Sequence, residues 1–547
     1  MAWSLNSCTA LVIDPSANSR STLSGQLRDL GIPNVVQCSK LADARRRLET
    51  GAYDLVLCEM DFPEEGGGRR HGGQDLLDEL QRAGLLPWST IFVMVTDERS
   101  YAKVVEAAES SLDAYLLKPF TTQVLRERVL NAHRRRVELE QIYLAMDGDR
   151  MDEAVALCRQ RFEARGAFWR YATRLGIELM MRGGQHETAL AWLDELLALQ
   201  PVSWARLDKV RCLQARHQAG AAMQQLKALI EGDPGCVDAQ DLLGRTWLGQ
   251  GRLGDALEAF TRAATLTPGD LRRQQRLGML SCYLGDWAGG TRALERVRAM
   301  GATSKSFDDQ SMVLLAVSCF RQRDSKALGR AVAALQQALD TTSDETRARR
   351  HLALGRTLDR LLQRQPEAAV AALAELAADR LEPDFDLEAG WNLLTGLAAT
   401  ARENLELAEA PTWVLEVGLR FMGSRTAAEL LTPTVAAVPA WAEALQAAQT
   451  ELSDTTEQAL RHSAAGDPQT AVATLLTQAE RTLSARLLDT ARGVIGRDGE
   501  QLGELNVIQA RVREVARRVG SHAGGLPPGL GEQSRQGIRL RVDAARG

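Results

Sequence analysis

Apolar positions in this chain follow two rhythms, and the change between them falls near residue 130. Up to residue 120 the apolar residues come in short Val-, Ile- and Leu-rich runs at 9–14, 35–38, 54–58, 90–96 and 114–117, separated by amphipathic stretches of helix length. Runs that short and that apolar predict five parallel strands, buried on both faces by the intervening helices. In an open α/β sheet, chemistry gathers at the carboxyl ends of the strands. Those ends carry Asp14, Glu59, Thr96 and Lys118.

From residue 134 to about 500 no strand signal remains, and the pattern becomes helical and repetitive. A small residue is followed four positions later by a larger apolar one in Ala154/Cys158, Ala189/Leu193, Ala222/Leu226, Ala256/Phe260 and Gly290/Leu294. Successive pairs are 35, 33, 34 and 34 residues apart. Two antiparallel helices approach closely only where a side chain is small, and the larger residue one turn on fills the same face. Prolines close three units at Pro201, Pro234 and Pro268, and Leu243-Gly244 recurs as Leu277-Gly278. A period near 34 is that of helix–turn–helix units stacked into a solenoid. Past residue 305 the period blurs, although Gly466, Ala471 and Leu475 restore its offsets, so 305–521 is expected to hold divergent helical repeats. The aperiodic tail 522–547, rich in Gly, Pro and Arg, is expected to be a disordered tether.

Composition narrows the function classes. Of 547 residues 45% are hydrophobic and 25% charged, and the net charge of −5 gives no general attraction to nucleic acid or anionic lipid. The eight cysteines are scattered without a C-x-x-C, as befits small buried hydrophobes in a reducing compartment. The N-terminus lacks a basic signal region, and no apolar run approaches the roughly 18 residues of a membrane span, so a cytoplasmic location is expected. No G-x-S-x-G, H-E-x-x-H or G-x-x-x-x-G-K-[ST] occurs, and the seven histidines are dispersed. An enzyme is not expected.

LVIDP at strand 1, DLVLCEMDFP at strand 3, MVT at strand 4 and AYLLKPF at strand 5 together resemble the receiver domain of two-component response regulators over residues 9–130. Residues 237–270 resemble the tetratricopeptide (TPR) repeat at Leu243, Gly244, Gly251, Ala256, Phe260, Ala263 and Pro268. The receiver resemblance implies an acid pair at strand 1 that binds Mg²⁺ and an aspartate at strand 3 that accepts phosphate. It also implies a switch hydroxyl at Thr96 and a switch aromatic at Tyr115, with Lys118 as the phosphate-binding lysine before a typically cis Pro119. The family's D-x-x-x-P spacing, counted back from Pro63, puts Glu59 at the phosphoacceptor position, and Pro15 replaces the second acid. Losing that ligand disfavours Mg²⁺, and no cofactor is expected. The extra methylene of Glu59 displaces its carboxylate from in-line geometry, which favours a standing Glu59–Lys118 ion pair and a phosphorylation-independent receiver, either on-like or inert. Asp61, the other candidate acceptor, lies beyond the strand in the loop.

The loop EEGGGRRHGG is long, and Arg69, Arg70 and His71 within it either contact a partner, cover the pocket or belong to a tolerated insertion. The 26 residues from Thr121 to Met146 contain no Gly or Pro and predict one unbroken connecting helix over 121–147. The TPR resemblance implies a concave peptide groove, with Arg211, Gln214, Arg245 and Met279 at its lining positions. Two arginines could hold carboxylates there.

The fold class is multidomain: an α/β doubly wound five-stranded parallel sheet (flavodoxin-like receiver, 1–120), a connecting helix (121–147), then an all-α TPR-type superhelical solenoid (repeats 148–304, divergent repeats 305–521). The expected function is a bacterial signal-transduction adaptor that meets protein partners through the groove and the receiver face, without nucleic acid or membrane. The alternative is a phosphorylation-competent, Mg²⁺-dependent response regulator in a phosphorelay, with the TPR array as output. A nucleic-acid-binding output lacks a basic recognition helix after the receiver.

Overall fold

The structure is a computed structural model that describes residues 5–60, 62, 73, 76–77, 80, 90–96, 114–216, 218–268, 270–301, 307–342, 344–520, 527 and 530. Asp61, Arg69, Arg70, His71 and nearly all of the 522–547 tail lie outside the described residues. The chain divides into two compact units, one built on residues 1–239 and the other on 240–532.

The first unit opens with strands β1 (Thr9–Ile13), β2 (Asn34–Cys38), β3 (Leu55–Glu59), β4 (Ile91–Thr96) and β5 (Ala114–Leu117). They form one parallel sheet in the order β2-β1-β3-β4-β5. Alternation along the strands divides the core in two. Ala10, Val12, Leu55, Leu57, Val93 and Val95 meet helices α1 (Ala17–Asp29) and α3 (Thr122–Glu138) on one face. Leu11, Ile13, Val56, Cys58, Phe92 and Met94 meet α2 (Leu41–Thr50) on the other. The strand order reverses between β1 and β3, so the carboxyl ends of these two strands flank the crevice where such sheets bind ligands.

The connecting helix is broken, contrary to expectation. It is α3 followed by a separate short helix, Glu140–Asp147, with Leu139 (φ −110, ψ 15) between them. The guanidinium of Arg161 donates to the Glu138 carbonyl and, at 3.2 Å, to its carboxylate. Leu139 is buried and its carbonyl accepts from both Ile142 and Tyr143.

Helices in antiparallel pairs fill the rest of both units, about twenty of them among the described residues. The larger members of the five pairs read from the sequence, Cys158, Leu193, Leu226, Phe260 and Leu294, are all at most 1% exposed. Glycines elsewhere in these units stand where a facing side chain leaves no room for a Cβ. A methyl group on Gly244 would come within 2.5 Å of the Phe260 ring, one on Gly278 within 2.7 Å of Leu294, and one on Gly176 within 2.7 Å of Trp192. The all-α solenoid continues through the divergent stretch to Val519, where Ala471 and Leu475 are fully buried.

Within the second unit the inner helices close on one another. Gln310 and Asn392 exchange reciprocal amide hydrogen bonds at 2.9 and 3.0 Å, although 82 residues apart. Tyr283 packs edge-on against Trp391, and Thr426 donates to the carbonyl of Leu248. Arg347 bridges Asp308 and Glu388, and the imidazole of His351 lies 2.9 Å from Glu388.

Candidate functional site

The strand ends converge on one ammonium group. Lys118, just past β5, donates from Nζ to Asp14 Oδ2 at 2.7 Å, to Glu59 Oε2 at 2.6 Å and to Ser19 Oγ at 2.8 Å. Asp14 is 1% exposed and Glu59 7%. Burial works against the charge on Lys118, but the hydrogen bonds it donates to Asp14 and Glu59, with their negative charge, outweigh it and raise the pKa above the usual lysine value. The charge of Glu59, after burial, also helps hold the neighbouring Cys58 thiol protonated, well above its ordinary pKa.

Local sequence explains each position. Asp14 follows β1 at the point where its N–H still pairs with the Cys38 carbonyl, and its Oδ1 accepts from the Ser16 amide at 2.8 Å. Its Oδ2 accepts the Ser19 hydroxyl at 2.5 Å. Glu59 closes β3, where its Oε1 accepts from the Met60 amide at 2.8 Å. Both of its carboxylate oxygens are therefore engaged. Gly73 donates its N–H to the Met60 carbonyl at 2.9 Å, and a methyl group there would fall 2.1 Å from the Glu59 carbonyl oxygen, so only glycine permits this approach. Thr96 ends β4 fully buried, with its carbonyl accepting from the Lys118 amide at 2.7 Å. The Lys118–Pro119 bond is cis. Tyr115 is placed on β5 beside Met94, while its side chain lies outside the described residues.

These residues do not fit a Mg²⁺ site. The cation needs several free oxygen ligands near 2.1 Å in octahedral array. Asp14 and Glu59 already share the ammonium of Lys118. Pro15 supplies no carboxylate, and Arg20 Nη1 donates to the carbonyls of Asp14 and Pro15 at 2.6 and 2.9 Å, placing a second cation beside them. Among the described residues, no group of three or more His, Cys, Asp or Glu side chains is arranged to hold a metal.

Sequence reasoning brought together Asp14, Glu59, Thr96 and Lys118. It missed Ser19 and Arg20, which stand one turn into α1 on the face turned to the strand ends, and it missed Gly73. A short hydroxyl and a cation five and six residues after Asp14 were the available signal.

The groove positions fare differently. Met279 is fully buried in the core of the second unit, where helix Gln310–Arg321 packs across helix Leu271–Tyr283, so it lines no open groove. Arg211, in the first unit, gives its guanidinium to Asp208 on its own helix at 2.6 Å. Gln214, on the same helix, is half-buried. Arg245, in the second unit, is also half-buried.

Comparison with known proteins gives a match of residues 10–130 to the response regulator receiver domain family. The chemotaxis protein CheY of Pseudomonas aeruginosa is 29% identical over 119 residues, covering 22% of this chain and 90% of that protein. The chemotaxis protein CheY-3 of Vibrio cholerae is also 29% identical over 119 residues, covering 22% and 86%. Among solved structures, the C-terminal part of a TPR repeat-containing protein from Cytophaga hutchinsonii aligns over 44% of this chain and 95% of its own, at 14% identity and a TM-score of 0.34. No helix among the described residues is long and apolar enough to cross a membrane.

Proposed function

We propose that this chain, whose residues 10–130 are a response-regulator receiver domain of the two-component type, is a bacterial, cytoplasmic signalling adaptor. Its receiver works without phosphorylation, and its TPR-type array makes protein contacts. The observation that carries this reading is the closed Asp14–Lys118–Glu59 cluster. The receiver resemblance assigns this lysine to an incoming phosphoryl oxygen. Here a fixed carboxylate already occupies it, on a side chain one methylene longer than aspartate. Arg20 adds to this by covering the carbonyls next to Asp14. Phosphoryl transfer depends on positioning and metal-assisted charge neutralisation, and neither has a provider among these side chains.

The TPR-type array supports the second half of the reading, since solenoids of stacked helix pairs expose long surfaces suited to extended partners. The test is the affinity of a captured partner for the intact chain with and without acetyl phosphate and Mg²⁺. The adaptor reading expects the same dissociation constant in both conditions. A change of about tenfold or more would overturn it.

A further inference from the structure

In the second unit the carboxyl ends of helices Leu271–Tyr283, Gln310–Arg321 and Leu387–Arg402 surround a cavity of about 250 Å³. Its wall is aromatic, from Tyr283, Trp287 and Trp391, and its rim carries Arg321 and Arg402. Three features of this cavity are unresolved by the fold itself.

The first is charge. Several arginines of this unit are paired with carboxylates, among them Arg323 with Glu403, Arg347 with Glu388, Arg350 with Asp384 and Arg380 with Glu416. Arg321 and Arg402 have no carboxylate partner among the described residues. Burial and then the charge of Arg402 lower the pKa of Arg321, so the two cations repel across the rim. The second is an unmet donor. Trp391 is 4% exposed and its indole N–H has no acceptor, and the Thr395 hydroxyl one turn on has no partner either. Buried polar groups are nearly always satisfied, and in a cavity wall a water can meet these two. The third is shape. Arg321 stacks over the Trp287 ring at 4.9 Å, which holds its guanidinium at the cavity edge.

We propose that this cavity binds a carboxylate carried on an apolar body the size of one side chain, its anionic end between Arg321 and Arg402 and its apolar part against Trp287 and Trp391. Planar guanidinium groups suit a carboxylate, and the charge-assisted bonds they form are the strong ones. The volume admits one amino-acid side chain or a small aromatic acid and excludes a helix. The carboxylate can belong to the C-terminal residue of a peptide or to a free organic acid. This inference goes beyond the adaptor reading and does not depend on the state of the receiver.

The test uses the full chain labelled with 5-fluorotryptophan, with the Trp391 resonance assigned through Trp391→Phe. Two probes are titrated: 3-phenylpropionate, and the peptide acetyl-Ala-Ala-Phe with a free C-terminus. Each is paired with its amide. The proposal expects a saturable shift of the Trp391 signal at roughly millimolar concentration with at least one acid. The matching amide should bind about tenfold more weakly, and R321Q/R402Q should impose the same loss. Both arginines are exposed, so the variant should keep the wild-type melting curve, which checks its fold. Tighter binding of the peptide assigns the carboxylate to a chain terminus, and tighter binding of phenylpropionate assigns it to a small acid. No shift with either acid, equal binding of acid and amide, or an unaffected R321Q/R402Q each overturns the proposal.

Discussion

Replacing Lys118 with methionine tests the ion-pair cluster at its centre. The substitution keeps most of the apolar stem and removes the ammonium that lies 2.7 Å from Asp14 and 2.6 Å from Glu59. At those distances each pair is worth roughly 6 kcal/mol of attraction at an effective dielectric constant of about 20, before the cost of desolvating the charges. Breaking a buried pair from one side typically costs about 3–5 kcal/mol, because the partner charge is stranded. The Lys118 side chain is 25% exposed, so the lower figure of about 3 kcal/mol applies. The two carboxylates left behind are buried and repel each other. In the wild type the sign of the pH dependence is the reverse of a carboxylate's. The folded-state pKa of Lys118 is raised, so its stabilisation is fully present below the unfolded value near 10.4 and is lost only above it. Wild-type stability should thus show no contribution from Lys118 titration between pH 6 and 9. Hydrogen exchange on the intact chain isolates this region from the solenoid. Amides of β1, β3 and β5 should exchange about 100-fold faster in Lys118→Met, the equivalent of about 3 kcal/mol. Lys118→Met with Glu59→Gln should recover part of that loss. Exchange within about threefold of wild type, or no recovery in the double variant, would refute the reasoning.

Other positions give equally direct expectations. Gly73→Ala places a methyl group 2.1 Å from the Glu59 carbonyl and should destabilise the receiver by about 1–3 kcal/mol, read as faster exchange in β3. Gly244→Ala drives a methyl group into the Phe260 ring at 2.5 Å and should cost a similar amount, with Phe260→Leu in the same chain restoring part of it in a urea melt of the second unit. Glu388 is fully buried; burial raises its pKa, but Arg347 and His351 outweigh this and bring it down to about 2 from 4.5. Its stabilisation is therefore present above pH 4.5 and lost as pH falls towards 2, and Glu388→Gln should cost about 3 kcal/mol at pH 7 and little near pH 2. Asp386, pushed up to about 6 by burial and then by Glu388, opposes this trend between pH 6 and 4, so the comparison is made as variant against wild type at each pH.

The sheet was legible because Val, Ile and Leu runs leave a parallel strand few alternatives, and the repeats because the small-to-large pairs must recur wherever helices cross. The break at Leu139 was not legible. Its neighbours favour helix, and the break lies beside a long-range contact, Arg161 donating to Glu138 from 23 residues away in the chain, that no local pattern records. Met279 misled for a related reason. A lining position in a single repeat becomes core when helix 310–321 packs across it, which no local pattern records. At the strand ends, the departures at Pro15 and Glu59 and the Glu59–Lys118 pair were visible in sequence, whereas the sharing of Lys118 with Asp14 and Ser19 depends on distances that only the fold supplies.

The central claim is that Glu59 has replaced phosphorylation at this pocket, and mass spectrometry of the intact protein tests it most directly. The full chain is incubated with acetyl phosphate and Mg²⁺ beside a phosphorylatable receiver as the positive control. The account predicts an unmodified mass for this chain while the control is labelled. A stoichiometric acyl phosphate on this chain, cleaved by hydroxylamine and mapped to residues 10–130, would contradict it.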